Sequence, residues 1–201
     1  MEDRSTTWAR AERAARGLTD GGVGAAVRRY YTTVSPGILL ASAVAVAVGI
    51  FISGYPVWGS TLAFGTVSLA GGGLLIGGFI YASKRVNPLV TPDRASVIVL
   101  LGKEDSKNIR RQINGSLPTE PEQLTVSRGA AIQLLQGMAL QLLITPGQLL
   151  IFASGILIDA EFRPLWAFLA LTPVVALIVM FRQFRKTLSF LDETRPAGAA
   201  G

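Results

Sequence analysis

VWGSTLAFGTVSLAGGGLLIGGFIYAS, residues 57–83, runs for 27 positions without a charged side chain, and seven of them are glycine: Gly59, Gly65, Gly71, Gly72, Gly73, Gly77 and Gly78. A hydrocarbon core about 30 Å thick takes roughly 20 apolar residues of helix, so this stretch is long enough to cross a bilayer with some tilt. It marks the chain as an integral membrane protein. The composition agrees: half of the residues are hydrophobic, only 16% are charged and the mean hydropathy is +0.44. In such a chain the hydrophobic residues must cluster instead of lining one side of each helix. Cysteine and histidine are absent from all 201 residues. Disulfides, thiol redox chemistry, thiolate or imidazole metal sites and nucleophiles built on Cys or His are thereby excluded.

Upstream, a turn from Ser53 to Trp58 contains Gly54 and Pro56, with Tyr55 and Trp58 suited to the headgroup level. Before it lies a first span over about 36–52, with Ser35 as cap and Pro36 at the first helical position, where its missing N–H costs nothing. The second span, about 58–82, follows at once, so residues 35–83 form an antiparallel transmembrane hairpin. Ala41, Ala45 and Gly49 recur every fourth residue in the first span, and Gly73 and Gly77 make a GxxxG pair in the second, extended by Gly65 and Thr61. Small residues at this spacing let helix backbones approach closely, either inside one chain or between copies. Residues 1–34 form a polar leader. Ser5 or Thr6 caps a short helix through about Arg16, Gly17 stops it, and Asp20-Gly21-Gly22 breaks the chain. Its first apolar run comes too late for a signal peptide, and Glu2, Asp3, Glu12 and Asp20 do not suit a transit peptide, so it reads as a retained cytoplasmic tail.

Downstream, Lys84 and Arg85 open a loop over 84–128. Thr91-Pro92-Asp93 is a helix-start signal, and it favours a short helix over Val97–Leu101 that ends at Gly102. A second helix over Glu104–Ile113 places Ile109 and Ile113 on one face and Lys107, Arg110 and Arg111 on the others. Asn114-Gly115 stops it. Pro118 and Pro121 enforce an extended link before a third helix near Glu122 or Ser127. The succession Glu104-Asp105, Arg110-Arg111, Asn114-Gly115, Pro118 and Pro121-Glu122 between pairs of spans resembles the short helical hairpins of uncharacterised small multi-span membrane proteins of high-GC actinobacterial type. The resemblance covers about thirty residues and implies no activity and no functional residue.

From Gly129 to Ile158 the chain is again uncharged, interrupted by Thr145-Pro146-Gly147. A helix starting at Pro146 would reach only about 20 Å before Asp159, too short to cross. The third span, about 136–158, therefore uses residues before the proline and is expected to be one kinked helix whose first turns enter the headgroup region. The alternative is an interfacial helix through Ile144. Gln133, Gln136, Gln141, Thr145 and Gln148 share one broad face, at bearings of about 0°, −60°, 80°, 120° and 60°. They serve either interhelical hydrogen bonding or a polar lining for water, ions or a small solute. After the Asp159–Arg163 turn, Pro164 starts a fourth span to about Phe181, with Trp166 at its boundary and Pro173 at mid-membrane. Thr172 is placed to help satisfy the carbonyl freed there. The spans 136–158 and 164–181 form the second hairpin, residues 129–181. In the tail, 182–201, Phe184, Leu188, Phe190 and Leu191 suit a helix lying along the membrane surface, and the Pro/Ala/Gly-rich end from Glu193 is expected to be disordered.

All but Arg163 of the 19 Lys and Arg residues lie in the leader, the central loop and the tail, which places both termini and the loop on the cytoplasmic side of the inner membrane. The net charge of +6 then serves topology and attraction to the anionic cytoplasmic leaflet. It does not indicate nucleic acid, because the basic loop has no interleaved aromatics. No Asp, Glu, Lys or Arg lies within a span, which disfavours coupled transport, and Asp93, Glu104 and Asp105 read as solvated helix faces rather than catalytic groups. A GxxxxGK phosphate loop is absent. The expectation is an all-α integral membrane four-helix bundle, two transmembrane hairpins with a small helical cytoplasmic loop. It is not an enzyme and uses no cofactor or metal. The expected role is a scaffold, assembly factor or accessory subunit that binds another membrane protein or itself; the alternative is a small channel or facilitator lined by the third-span glutamines.

Overall fold

The computed structural model describes residues 4–19, 21–53, 59–90, 96–158 and 161–194. The turn residues 54–58, the start signal at 91–93, Asp159-Ala160 and the tail from Arg195 lie outside them. Among the described residues every regular element is helical: α1 (Arg4–Ala15), α2 (Val23–Arg29), a π-helical turn (Tyr30–Val34), α3 (Ser35–Ser53), α4 (Ser60–Tyr81), a second π turn (Ala82–Val86), α5 (Val97–Leu100), α6 (Lys103–Ile113), α7 (Leu124–Ile158) and α8 (Arg163–Glu193). Short 3-10 turns cover Asn87–Leu89 and Pro121–Gln123. Four stretches of the described residues are long and apolar enough to cross a membrane: Val23–Ile52, Leu62–Leu89, Pro121–Leu157 and Arg163–Glu193. The protein is an all-α, four-helix, multi-pass membrane protein. It divides into two compact units: an apolar one of Ala25–Lys84 and Leu140–Met180, and a polar one of Met1–Gly24, Arg85–Ala139 and Phe181–Gly201.

The apolar unit is built by close helix contacts. Ile38, in the first turn of α3, lies against Gly73 and Gly77 near the end of α4, where a Cβ on Gly77 would stand 2.5 Å from the Ile38 Cδ1. The two helices are therefore antiparallel. On another side of α4, Gly71 meets Gly147 and Ile151 of α7, and Gly78 meets Leu143; a Cβ on Gly147 would come within 2.5 Å of the Leu75 backbone nitrogen. Higher numbers in α4 pair with lower numbers in α7, so this pair is also antiparallel. Gly155 of α7 rests on the Trp166 ring of α8, with a Cβ there overlapping the indole. The helices thus alternate in direction through the unit.

At 100° per residue, Gly71 and Gly78 point about 130° away from Gly73 and Gly77. The glycine-rich stretch is therefore two small-residue faces on one helix, one for α3 and one for α7.

In the polar unit α1 ends where Gly17 adopts φ +79°, and an Arg16–Glu12 ion pair of 2.8 Å braces its last turn. The leader is not a free tail. Ala11 and Ala15 are buried, and Ala15 sits so close to Gly129 of α7 that a Cβ there would be 2.5 Å away. The Trp8 indole N–H donates to Asp105 Oδ2 at 3.0 Å, which buries a carboxylate expected to face solvent. Glu104 remains exposed. In α6, Ile109 and Ile113 enter the core, and the helix stops at Gly115, φ +74°, with Ser116 N–H donating to the Arg111 carbonyl at 2.8 Å. Val97, Val126, Ile132 and Leu135 complete that core.

α8 also departs from the expectation of a helix lying along the membrane surface. Phe184, Phe190 and Leu191 are buried in this unit and Leu188 lies against Gly24, because the apolar positions of the emergent helix find protein to pack on.

The two kinds of glycine predict different tolerance. Gly78→Ala forces a backbone shift at Leu143 and is expected to cost roughly 1–3 kcal/mol, as overpacking does. Gly65→Ala, where the added group meets open space, should stay within about 0.5 kcal/mol. Reversible unfolding in mixed micelles measures both, and equal effects would contradict the α4–α7 packing.

Candidate functional site

The proline in α7 organises the centre of the apolar unit. Pro146 has no N–H, so the Leu142 carbonyl four residues earlier loses its helical partner. The helix nevertheless runs unbroken from Leu124 to Ile158. The missing donor comes from outside: the Tyr31 hydroxyl donates to the Leu142 carbonyl. In lipid, where no water can compensate, a buried carbonyl needs such a partner.

Tyr31 belongs to a cluster. Tyr30 is fully buried, stacks edge-on against Tyr31 at 5.5 Å between ring centres and tilts against Tyr81 at 5.3 Å. The Tyr30 hydroxyl donates to the Leu74 carbonyl of α4 at 3.1 Å, and the Tyr81 hydroxyl to the Ala26 carbonyl of α2 at 2.9 Å. Three phenols thus tie the segment before α3 to α4 and α7. Both first tyrosines occupy the Tyr30–Val34 π turn, whose altered hydrogen-bond ladder sends neighbouring side chains to different helices. Sequence reasoning missed this clasp. Its signals were present: aromatics directly after Arg28-Arg29 and just before Lys84-Arg85, where interfacial rings are favoured, and an orphan carbonyl at Leu142. The pairing of residue 31 with residue 142 has no sequence signature.

The small residues selected from sequence fall into two groups. Gly73 and Gly77 are filled by Ile38 of the same chain, with Ser42 beside Gly73. Ala41, Ala45 and Gly49 are exposed on α3, and Gly65 is exposed on α4; a Cβ on Gly49 or Gly65 meets nothing within 4 Å. The closest backbone approaches instead use Gly71, Gly78 and Gly147.

The polar residues of the third span are divided between the two units. Gln133 Oε1 accepts from the Val97 N–H at 2.8 Å and Gln136 Nε2 donates to Asn87 Oδ1 at 3.3 Å, both in the polar unit. Gln141 is exposed, Gln148 is half-buried, and Thr145 is buried with its hydroxyl on the Gln141 carbonyl at 2.6 Å. Thr172 behaves alike: it lies 3.4 Å from the Phe168 carbonyl, not the Leu169 carbonyl that Pro173 frees, because a threonine reaches back to its own i−4 position. Among the described residues no group of three or more Asp and Glu is disposed to hold a metal ion.

Compared with known proteins, the chain matches no family model, no curated protein and no solved structure. Its functional reading rests on its own geometry.

The tyrosine–proline pairing makes a closed test. Tyr31→Phe should destabilise the protein by about 1 kcal/mol, the scale of a membrane hydrogen bond. Pro146→Ala restores a helical N–H for Leu142, so in the double variant Tyr31→Phe should cost little; additive effects in this cycle would rule out the carbonyl assignment.

Proposed function

We propose that this protein is a scaffold, assembly factor or accessory subunit of the inner membrane that binds another membrane protein, or a second copy of itself, through the outer face of α3. One observation carries the reading. Ala41, Ala45 and Gly49 form an exposed small-residue stripe, whereas among the described residues the close approaches inside the apolar unit fall on other glycines. In lipid, van der Waals contact between closely approaching backbones replaces the hydrophobic drive, and a smooth stripe on a spanning helix suits that contact. Leu40, Val44 and Val48 flank the stripe, all about half exposed or more, and would interdigitate with a partner helix.

The role requires no catalytic group, and no Asp, Glu, Lys or Arg lies within the apolar stretches between Arg29 and Lys84 or between Leu140 and Ile158. The concentration of Lys and Arg outside the spans supports cytoplasmic termini. The channel reading draws no comparable support, since Gln133 and Gln136 are engaged in the polar unit and Gln141 is exposed.

Because Gly73 and Gly77 serve internal packing, the test belongs on α3. Ala45→Ile with Gly49→Ile should leave stability in detergent within about 0.5 kcal/mol, as surface changes do. It should lower the native mass of the extracted protein, or release a co-purifying membrane protein. A complex of unchanged mass and composition would reject this face as the interface.

A further inference from the structure

The polar unit contains an open cleft of about 470 Å³ between the turn that follows α6 and the last third of α8. Arg185 and Lys186 line it from α8, together with Ser189; Asn114 and Thr119 line it from the turn. Neither Arg185 nor Lys186 makes an ion pair with any described residue. Two unpaired cations beside hydroxyl and amide groups form an anion site by chemistry, and the guanidinium fork matches phosphate in particular.

The depth of the site narrows the ligand further. The apolar part of α8 ends at Phe181, and the helix continues unbroken to Glu193. At 1.5 Å per residue, Arg185 and Lys186 stand about 6–8 Å beyond that end. The polar headgroup layer on each side of a bilayer is roughly 5–8 Å deep, so the two cations lie at phosphate level. Arg182, one turn earlier on the same side of the helix, adds to the positive field. Among the described residues the one carboxylate lining the cleft, Glu193, is exposed and about two turns further along, roughly 10 Å from Lys186 along the axis, away from the membrane. Phe190 and Leu117 supply an apolar wall, which suits the glycerol carbons next to a phosphodiester.

We propose that this cleft binds the phosphate of a glycerophosphate group, held by Arg185 and Lys186. The site is independent of the α3 interface. An anionic phospholipid and a soluble glycerophosphate share this chemistry, and the experiment separates them. Full-length protein is reconstituted in nanodiscs of equal phosphatidylcholine and phosphatidylglycerol, and the lipids retained after detergent washing are counted by mass spectrometry. In parallel, protein in phosphatidylcholine-only nanodiscs is titrated with glycerol 3-phosphate.

The wild type should retain phosphatidylglycerol over phosphatidylcholine. R185Q/K186Q should lower that preference by roughly tenfold or more, the weight of two cations near a headgroup. Ser189→Glu, which places a carboxylate in the cleft and keeps both cations, should act likewise, while Lys186→Arg and the distant Lys103→Gln should retain the preference. Titration by glycerol 3-phosphate that the double variant abolishes would identify a soluble source; preference without titration identifies the lipid. Equal lipid preference in the wild type and both cleft variants, or binding of neither probe by the wild type, overturns the proposal.

Discussion

The structure depends on how closely helix backbones approach α4. Water-soluble bundles are held by burial of apolar side chains, but helices in lipid gain nothing by exchanging hydrocarbon for leucine. What remains is contact, and contact improves as backbones come nearer. On α4 the side chains are removed where two neighbours arrive: Gly73 and Gly77 admit Ile38, and Gly71 and Gly78 admit the α7 backbone at Leu143 and Gly147. At the Gly71–Gly147 contact both partners are glycine, which lets the two backbones meet there. The cost is a helix interior poor in favourable propensity, tolerable because the absence of water leaves the backbone no competing hydrogen-bond partner.

Pro146 directly precedes Gly147, one of the glycines of that crossing. A proline there frees the Leu142 carbonyl, and the Tyr31 hydroxyl satisfies it. Packing and polar accounting are thereby linked: the close approach of α4 and α7 accompanies a clasp in which Tyr30 and Tyr81 tie neighbouring carbonyls. The polar unit repeats the logic with water nearby. Ala15 against Gly129 brings α1 and α7 together, and the Trp8 indole N–H donates to the buried Asp105 carboxylate. Arg185 and Lys186 make no ion pair among the described residues, which is what suits them to the proposed phosphate ligand.

The sequence by itself determined the class of the protein and its punctuation. Four apolar segments of sufficient length, the first two within the single uncharged run 30–83, can only be buried in lipid as helices, and this holds whatever their neighbours are. Local stops were equally legible, since Gly17 and Gly115 carry the positive φ that ends a helix. So was the amphipathic face of α6 carrying Ile109 and Ile113. Tertiary structure alone decided which small residue meets which helix. Periodicity places Gly73 and Gly77 on one stripe, but nothing in it says that Ile38 fills that stripe while Ala41, Ala45 and Gly49 stay open. It also decided the fate of the polar residues, because one 35-residue helix, about 52 Å long, serves two environments and only packing shows that Gln133 and Gln136 belong to the polar one. The reason is physical: helix formation in lipid is settled by local hydropathy and backbone hydrogen bonding, whereas helix pairing depends on the rotation and axial offset of surfaces far apart in sequence, and several pairings satisfy the same local rules.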